Sequence, residues 1–268
     1  NSAPGLDGIS SDHLKAGKST SLCSLLANML STILSWCVVP SSFCIGLIIP
    51  ILKKPGLNPN DAVNFRPVTL SSSLSKLLEL LMVPEDDICD TQFGFRKGMG
   101  TAFACSLYND VLQYFKLKKS PLYTCSLDAE KCFDSIWHHA LFYKLNQKVP
   151  PAHWLTLKRW YDGLKAAVKW GGHLSSVFKV TQGTRQGSIL SPHLFNIFIN
   201  DLLCELKDAP DQVRIGSCQL NSFAYADDIS LMSTTVPGLQ RLISMCTDYA
   251  DKWHFRFGLK KTKCMANQ

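Results

Sequence analysis

Ser222-Phe223-Ala224-Tyr225-Ala226-Asp227-Asp228-Ile229-Ser230-Leu231-Met232 is the stretch on which the reading of this chain turns. Apolar runs flank an adjacent pair of carboxylates. That pattern predicts a β-hairpin with Asp227 and Asp228 at its tip. Two unpaired acids held side by side repel each other and favour occupation by a cation. A solvated Asp-Asp turn fits the pair equally well, so residues elsewhere have to decide.

The first of these is Asp128, which closes the strand pattern Tyr123-Thr124-Cys125-Ser126-Leu127. Three carboxylates on two strand tips suit two divalent ions. Hard cations of octahedral preference take a few carboxylates together with substrate phosphates. In such a site one ion activates the attacking hydroxyl and the other stabilises the leaving oxygen. The competing role for Asp128 is as a cap of the next helix. Asp134 is the better cap, because the helical pattern begins at Ser135.

Composition bounds the rest. A chain of 268 residues, 46% apolar and 18% charged, is globular and large enough for one or two domains. The net charge of +7 permits a nucleic-acid partner without demanding one. Lys144, Lys148, Lys158, Arg159, Lys165 and Lys169 form one basic stretch. Lys252, Arg256, Lys260, Lys261 and Lys263 form another. Each also reads as a solvated helix face. Eleven cysteines are scattered without a Cys-x-x-Cys pair. This indicates neither a disulfide framework nor a zinc knuckle, and suggests a reducing compartment. His138-His139 near Cys132 reads as surface histidines rather than as a metal site. Leu22 to Val39 is broken by Ser and Asn, so a buried or amphipathic helix is expected there and not a membrane span. No signal peptide is read. Beginning at Asn1 without Met and ending at Gln268 inside a patterned region, the chain looks cut from something longer.

Periodicity predicts helices over 22–36, 71–82, 101–117, 135–146, 152–164, 190–206 and 239–253. Strands are expected over 45–52, 68–70 and 122–127. A hairpin is expected around Gly171-Gly172, and a strand pair at the end. The first half then reads as mostly helical and the second as antiparallel α+β.

Leu127-Asp128-Ala129-Glu130-Lys131-Cys132-Phe133-Asp134 resembles motif A of reverse transcriptases, and Tyr225-Ala226-Asp227-Asp228 resembles their motif C. Between them, Gly183-Thr184-Arg185-Gln186-Gly187, then Leu190-Ser191-Pro192 and Leu194-Phe195-Asn196, resembles motif B. The likeness covers essentially the whole chain. Ala3-Pro4-Gly5-Leu6-Asp7-Gly8-Ile9, Pro50-Ile51-Leu52-Lys53-Lys54, Asn64-Phe65-Arg66-Pro67-Val68 and Gln92-Phe93-Gly94-Phe95-Arg96 are similar to segments of non-LTR (LINE-type) retrotransposon enzymes. Group II intron maturases usually carry Pro before the motif B Gln, where this chain has Arg185. That favours the LINE-type branch. Departures fall at Gly258, where many relatives have Asn, at Ser188-Ile189 after motif B, and in a short stretch from Lys76 to Gln92.

The resemblance implies an α+β right-hand polymerase fold, with helical fingers over 1–121, a palm with an antiparallel sheet over 122–268, and a thumb largely absent. It implies an RNA-directed DNA polymerase that adds deoxynucleotides to a primer 3′-hydroxyl. Asp128, Asp227 and Asp228 would be the catalytic and metal-binding triad for two Mg²⁺ ions, with Mn²⁺ as a substitute. The Ala129 carbonyl would add a ligand, and Asp228 would act less directly. Phe133 would be the steric gate that leaves no room for a 2′-hydroxyl. It also reads as a core Phe at a helix start. Gln186 and Gly187 would pack on the incoming nucleotide, and Arg66, with Lys53 or Lys54, would hold its triphosphate. Tyr225 would pack near the primer end, and it also reads as an ordinary strand aromatic. Arg96 would contact the template backbone, and Lys261 is the candidate general acid. Lys53, Lys54 and Arg96 read equally as solvated surface.

Implied partners are an RNA template, a DNA primer or target, dNTPs, and the thumb and endonuclease of a longer polyprotein, with no membrane. The implied location is intracellular, in a cytoplasmic ribonucleoprotein and in the nucleus. The alternative is a non-catalytic nucleic-acid-binding remnant of a decayed or host-adopted element. Intact Asp128, Asp227, Asp228 and Phe133 speak against decay.

Overall fold

A computed structural model describes residues 3–84, 87–210 and 212–267; Asn1 and Gln268, the ends of the two expected subdomains, lie outside the described residues. In chain order the elements are α1 (Ser11–Ala16), α2 (Thr20–Trp36), α3 (Ser41–Cys44), β1 (Ile45–Leu52), β2 (Phe65–Leu70), α4 (Ser73–Leu81), α5 (Thr101–Leu117), β3 (Leu122–Asp128), α6 (Cys132–Ser135) and α7 (His138–Leu145). There follow α8 (Pro151–Asp162), β4 (Lys165–Trp170), β5 (His173–Leu174), β6 (Phe178–Lys179), α9 (Ser191–Lys207), β7 (Val213–Ile215), β8 (Cys218–Leu220), β9 (Ser222–Tyr225), β10 (Asp228–Ser233), α10 (Val236–Lys252) and β11 (Lys263–Asn267).

The chain packs as two compact units, Asn1–Glu85 with Leu141–Ser191, and Asp86–Ala140 with Pro192–Gln268. These units do not coincide with a sequential division at 121/122. Residues 86–121 pack with the C-terminal part, and 141–191 with the N-terminal part.

The first unit is built on a mixed sheet of order β2-β1-β4-β5, with β6 also on β4. β1 runs antiparallel to β2 and parallel to β4. Pro67 sits in β2, an edge strand, where a missing N–H is tolerated. The first half therefore contributes two long strands beside its helices, more sheet than its helical patterning suggests. Helix α2 starts where Ser19 accepts the Leu22 N–H. Buried Leu30 and Ile33 mark its inner face.

The second unit carries an antiparallel sheet of order β11-β3-β10-β9. Phe93, Ala104, Val111, Phe115, Leu122, Val213, Phe223 and Met232 form one core cluster there. Helix α10 begins at Thr235, whose hydroxyl accepts the Gly238 N–H, with Pro in its first turn.

Three local expectations are corrected. The helix expected from 135 is split into α6 and α7. Ile136 is 1% exposed and takes a non-helical backbone (φ −56°, ψ 118°), which takes the chain out of the helix. Asp134 consequently lies inside α6 and does not cap it; the N-cap is Lys131, at φ +48°. The expected final strand pair is the single strand β11, which pairs with β3, while Phe257 makes only an isolated bridge to Ala129. Among the described residues all eleven cysteines are free, and no helix is long and apolar enough to cross a membrane.

Candidate active site

The site is assembled at one end of the second unit's sheet. β3 and β10 are paired so that Asp128 and Asp228 are direct register partners. Tyr225 is the register partner of Asp228 on the other side, and Asp227 lies in the turn between β9 and β10. That turn is unusually tight. Ala226 takes φ +58° and is 5% exposed, and a Cβ on Gly94 would come within 2.2 Å of the Ala226 nitrogen. Only glycine at position 94 allows the two backbones to approach so closely.

The turn is strapped from inside by Gln92, which is fully buried. Its Oε1 accepts the N–H groups of Gly94 (2.8 Å) and Ala226 (2.9 Å), and its Nε2 donates to the Ala226 carbonyl (3.3 Å). The Phe93 N–H donates to the Ala224 carbonyl, and Asn196 Nδ2 to the Gly94 carbonyl. Motif A is tied in as well. The Ala129 N–H donates to the Asp227 carbonyl, the Glu130 N–H to that of Arg256, and the Gly258 N–H to that of Asp128. A Cβ at Gly258 would stand 3.2 Å from Glu130 Cγ and 3.5 Å from the Asp128 carbonyl oxygen, so glycine there suits the close approach of the two segments.

The electrostatics fit a cation site. Burial, then the charges of Asp227 and Asp128, raise the Asp228 carboxyl above its ordinary range, against the pull of Lys261. Lys261 Nζ donates to both oxygens of Asp128, at 2.7 and 2.8 Å. That bond, more than the added pull of Asp227 and Asp228, raises the ammonium's own pKa. Burial also pushes the Cys132 thiol far up, with Asp227 contributing by charge and hydrogen bond. Among the described residues no group of three or more His, Cys, Asp or Glu is placed to hold a metal ion. The donor chemistry nonetheless fits one: neighbouring hard carboxylates whose like charges disfavour one another, with an ammonium drawn onto one of them.

Phe133 is half-buried between two rings, Phe195 at 5.1 Å and Phe95 at 5.9 Å between centroids. Tyr225 is half-buried and packs against the core cluster. Arg96 Nη1 donates to the carbonyls of Cys89 and Gln92, so its guanidinium clasps its own loop.

The remaining candidates belong to the first unit. Gln186 and Gly187 form a turn on β2: the Thr69 N–H donates to the Gln186 carbonyl at 2.7 Å, and Gly187 takes φ +99°. Arg66 is exposed on β2, and Lys54 is exposed after β1. Lys53 Nζ is engaged with the Val63 carbonyl at 2.7 Å. Glu79, which no motif in the sequence singles out, is 1% exposed on α4. Its carboxylate accepts the Ile189 N–H at 2.7 Å and lies 3.7 Å from Arg185. Arg185 Nη1 also donates to the Phe43 carbonyl, and the guanidinium lies 4.9 Å over the Trp160 ring. The one signal for Glu79 was an acid set on the apolar face of an otherwise greasy helix.

Comparison with solved structures places the architecture in a class. A telomerase from Candida tropicalis truncated from its C-terminal domain superposes with TM-score 0.59 at 15% identity, over 91% of this chain and 55% of that one. A Candida albicans telomerase in complex with a telomeric RNA fragment gives 0.58 at 12%, over 90% and 46%. The fold is that of the right-hand polymerases.

Sequence comparison then gives the family. Residues 51–268 match the family described as reverse transcriptase (RNA-dependent DNA polymerase), and the chain belongs to it. Relatives include the RNA-directed DNA polymerase from mobile element jockey of Drosophila funebris, 31% identical over 77% of this chain and 24% of that protein. The probable RNA-directed DNA polymerase from transposon BS of Drosophila melanogaster is 28% identical over 97% and 30%. The R2DM retrotransposable-element Pol polyprotein of the same fly is 28% identical over 98% and 26%. The chain thus spans about a quarter of the length of the curated relatives it matches.

Proposed function

We propose that this chain is the polymerase core of a non-LTR retrotransposon protein. It would add deoxynucleotides, directed by an RNA template, to the 3′-hydroxyl of a DNA primer, with release of pyrophosphate. The observation that carries this reading is the register of β3 and β10. It sets Asp228 opposite Asp128, with Asp227 in the adjoining turn, at one sheet end. Membership of the reverse transcriptase family supports reading that cluster as the polymerase site.

Asp128, Asp227 and Asp228 would hold divalent ions, Mg²⁺ or Mn²⁺, which when bound supply hydroxyl activation and charge neutralisation. The Ala129 carbonyl would add a donor beside them. Lys261, which donates to Asp128, would have to leave that carboxylate before donating a proton to pyrophosphate. Phe133, packed between Phe95 and Phe195, would be the ring that excludes a 2′-hydroxyl. Gln186, Gly187 and Arg66 would receive the nucleotide, with Lys54 and, once freed from Val63, Lys53. Tyr225 would face the primer end and Arg96 the template. A thumb and an endonuclease would lie elsewhere in the longer protein. An intracellular location, in a cytoplasmic ribonucleoprotein and the nucleus, goes with this reading.

The test is primer extension on an RNA template with Mg²⁺. Asp227→Asn is expected to abolish extension while template–primer binding persists. Extension at close to the wild-type rate would overturn the assignment.

A further inference from the structure

The loop from Thr91 to Arg96 is fixed at nearly every residue. Gln92 is buried and bonded to Gly94 and Ala226, Phe93 is bonded to Ala224, and Gly94 to Asn196. Arg96 is bonded back to Cys89 and Gln92. Between these fixed points Phe95 adopts φ +59°, the left-handed region that a bulky residue seldom takes. The residue is 46% exposed. Glycine or asparagine would accept this backbone more readily, and burial does not explain a phenylalanine. What the ring does contact is Phe133, edge to face, with planes at 78°. Phe195 meets the same ring from α9 at 40°.

We propose that Phe95 is a positioning residue for sugar selection: it holds Phe133 in the rotamer that excludes a 2′-hydroxyl. The proposal rests on the reading of Phe133 as the gate. A steric gate discriminates by shape alone, and it fails if its ring can swing aside. Phe195 is 3% exposed, and its loss would open the core. Phe95 supports the gate from the surface side, so its ring can be removed without a cavity. The strained backbone at Phe95, over-determined by its neighbours, is what turns that ring onto Phe133.

The experiment measures incorporation of ribonucleotides against deoxynucleotides in primer extension by the chain and four variants. Phe133→Ala tests the gate itself and should raise relative ribonucleotide use. Phe95→Ala should raise it about 2- to 10-fold, the range expected for losing one edge-to-face contact. The gain should appear as a lower KM for ribonucleotides. Phe95→Tyr, which keeps the ring, should restore discrimination. Phe95→Gly removes the ring while relieving the backbone, so its thermal stability should match or exceed wild type and it should be as permissive as Phe95→Ala. If Phe133→Ala loosens selection while both Phe95→Ala and Phe95→Gly discriminate like wild type, the positioning role is overturned and the gate stands. If Phe133→Ala changes nothing, the gate reading fails and takes this proposal with it. Absence of extension by the wild-type chain overturns the proposed function and this proposal together.

Discussion

Asp228 opens β10 across from Asp128 and next to Asp227, and its carboxyl titrates above the usual 3.8 because burial and two neighbouring carboxylates disfavour its charge. As pH rises through 3.8 the unfolded chain releases this proton first, so the folded state is the one that binds more protons. Stability therefore falls with rising pH until the folded-state pKa is passed, and the deficit persists at neutral pH. Asp228→Asn is expected to melt higher than wild type at neutral pH, with the difference shrinking toward pH 4. Divalent cation should raise the wild-type melting temperature by mass action and raise that of the variant less. Thermal melts from pH 4 to 8, with and without Mg²⁺, check both; identical curves would refute the crowding argument. The acids themselves were legible in the sequence because a short apolar strand on either side leaves a hairpin tip little freedom. Gln92 was legible only as a motif letter. Its partners Gly94 and Ala226 are backbone groups, and one lies far along the chain, where no spacing rule reaches. Gln92→Leu should cost about 2–4 kcal/mol by urea unfolding, since it strands the Gly94 and Ala226 N–H groups in a buried turn.

At the scale of elements, α4 and the loop after β6 behave as one piece. Glu79 binds the Ile189 amide and faces Arg185, and Arg185 is bonded to Phe43 and lies over Trp160. The turn at Gln186 and Gly187 is held from below by this pair and from the side by Thr69. Glu79→Ala would leave a buried guanidinium without its counter-charge, a loss of about 3–5 kcal/mol. Adding Arg185→Met should recover part of that loss, because the uncompensated charge is then gone. A double-mutant cycle in denaturant measures the coupling; strictly additive losses would show that the two side chains act independently. The periodicity of α4 was readable, but its acid could not be assigned, since its partners lie more than a hundred residues away. The split between α6 and α7 escaped for a different reason. Ile136 reads as helical by pattern, but in the fold it is buried with a non-helical backbone that ends α6.

At the scale of the whole molecule, the chain alternates between its two units, so neither is a continuous run of sequence. A reading by motif order divides the chain at 121/122, since motif A begins just beyond. Packing does not respect that division. Phe93, Ala104, Val111 and Phe115 lie before it, and they form one cluster with Leu122, Val213, Phe223 and Met232, which lie after it. The Gln92 strap on the Ala226 turn is severed by the same cut. A fragment of residues 122–268 would expose several of these side chains, each worth about 1.5–3 kcal/mol when fully buried. Against a typical domain stability of about 5–15 kcal/mol, that loss is enough to remove the cooperative fold. We therefore expect the 122–268 fragment to show no cooperative thermal transition. Extending it back to residue 87 should improve folding, because α5 and the strapped loop return with the added segment. Calorimetry of the two fragments decides the point. A sharp transition in 122–268 alone would mean that the sheet β11-β3-β10-β9 and α10 suffice without α5, and that the unit ends where the motifs begin.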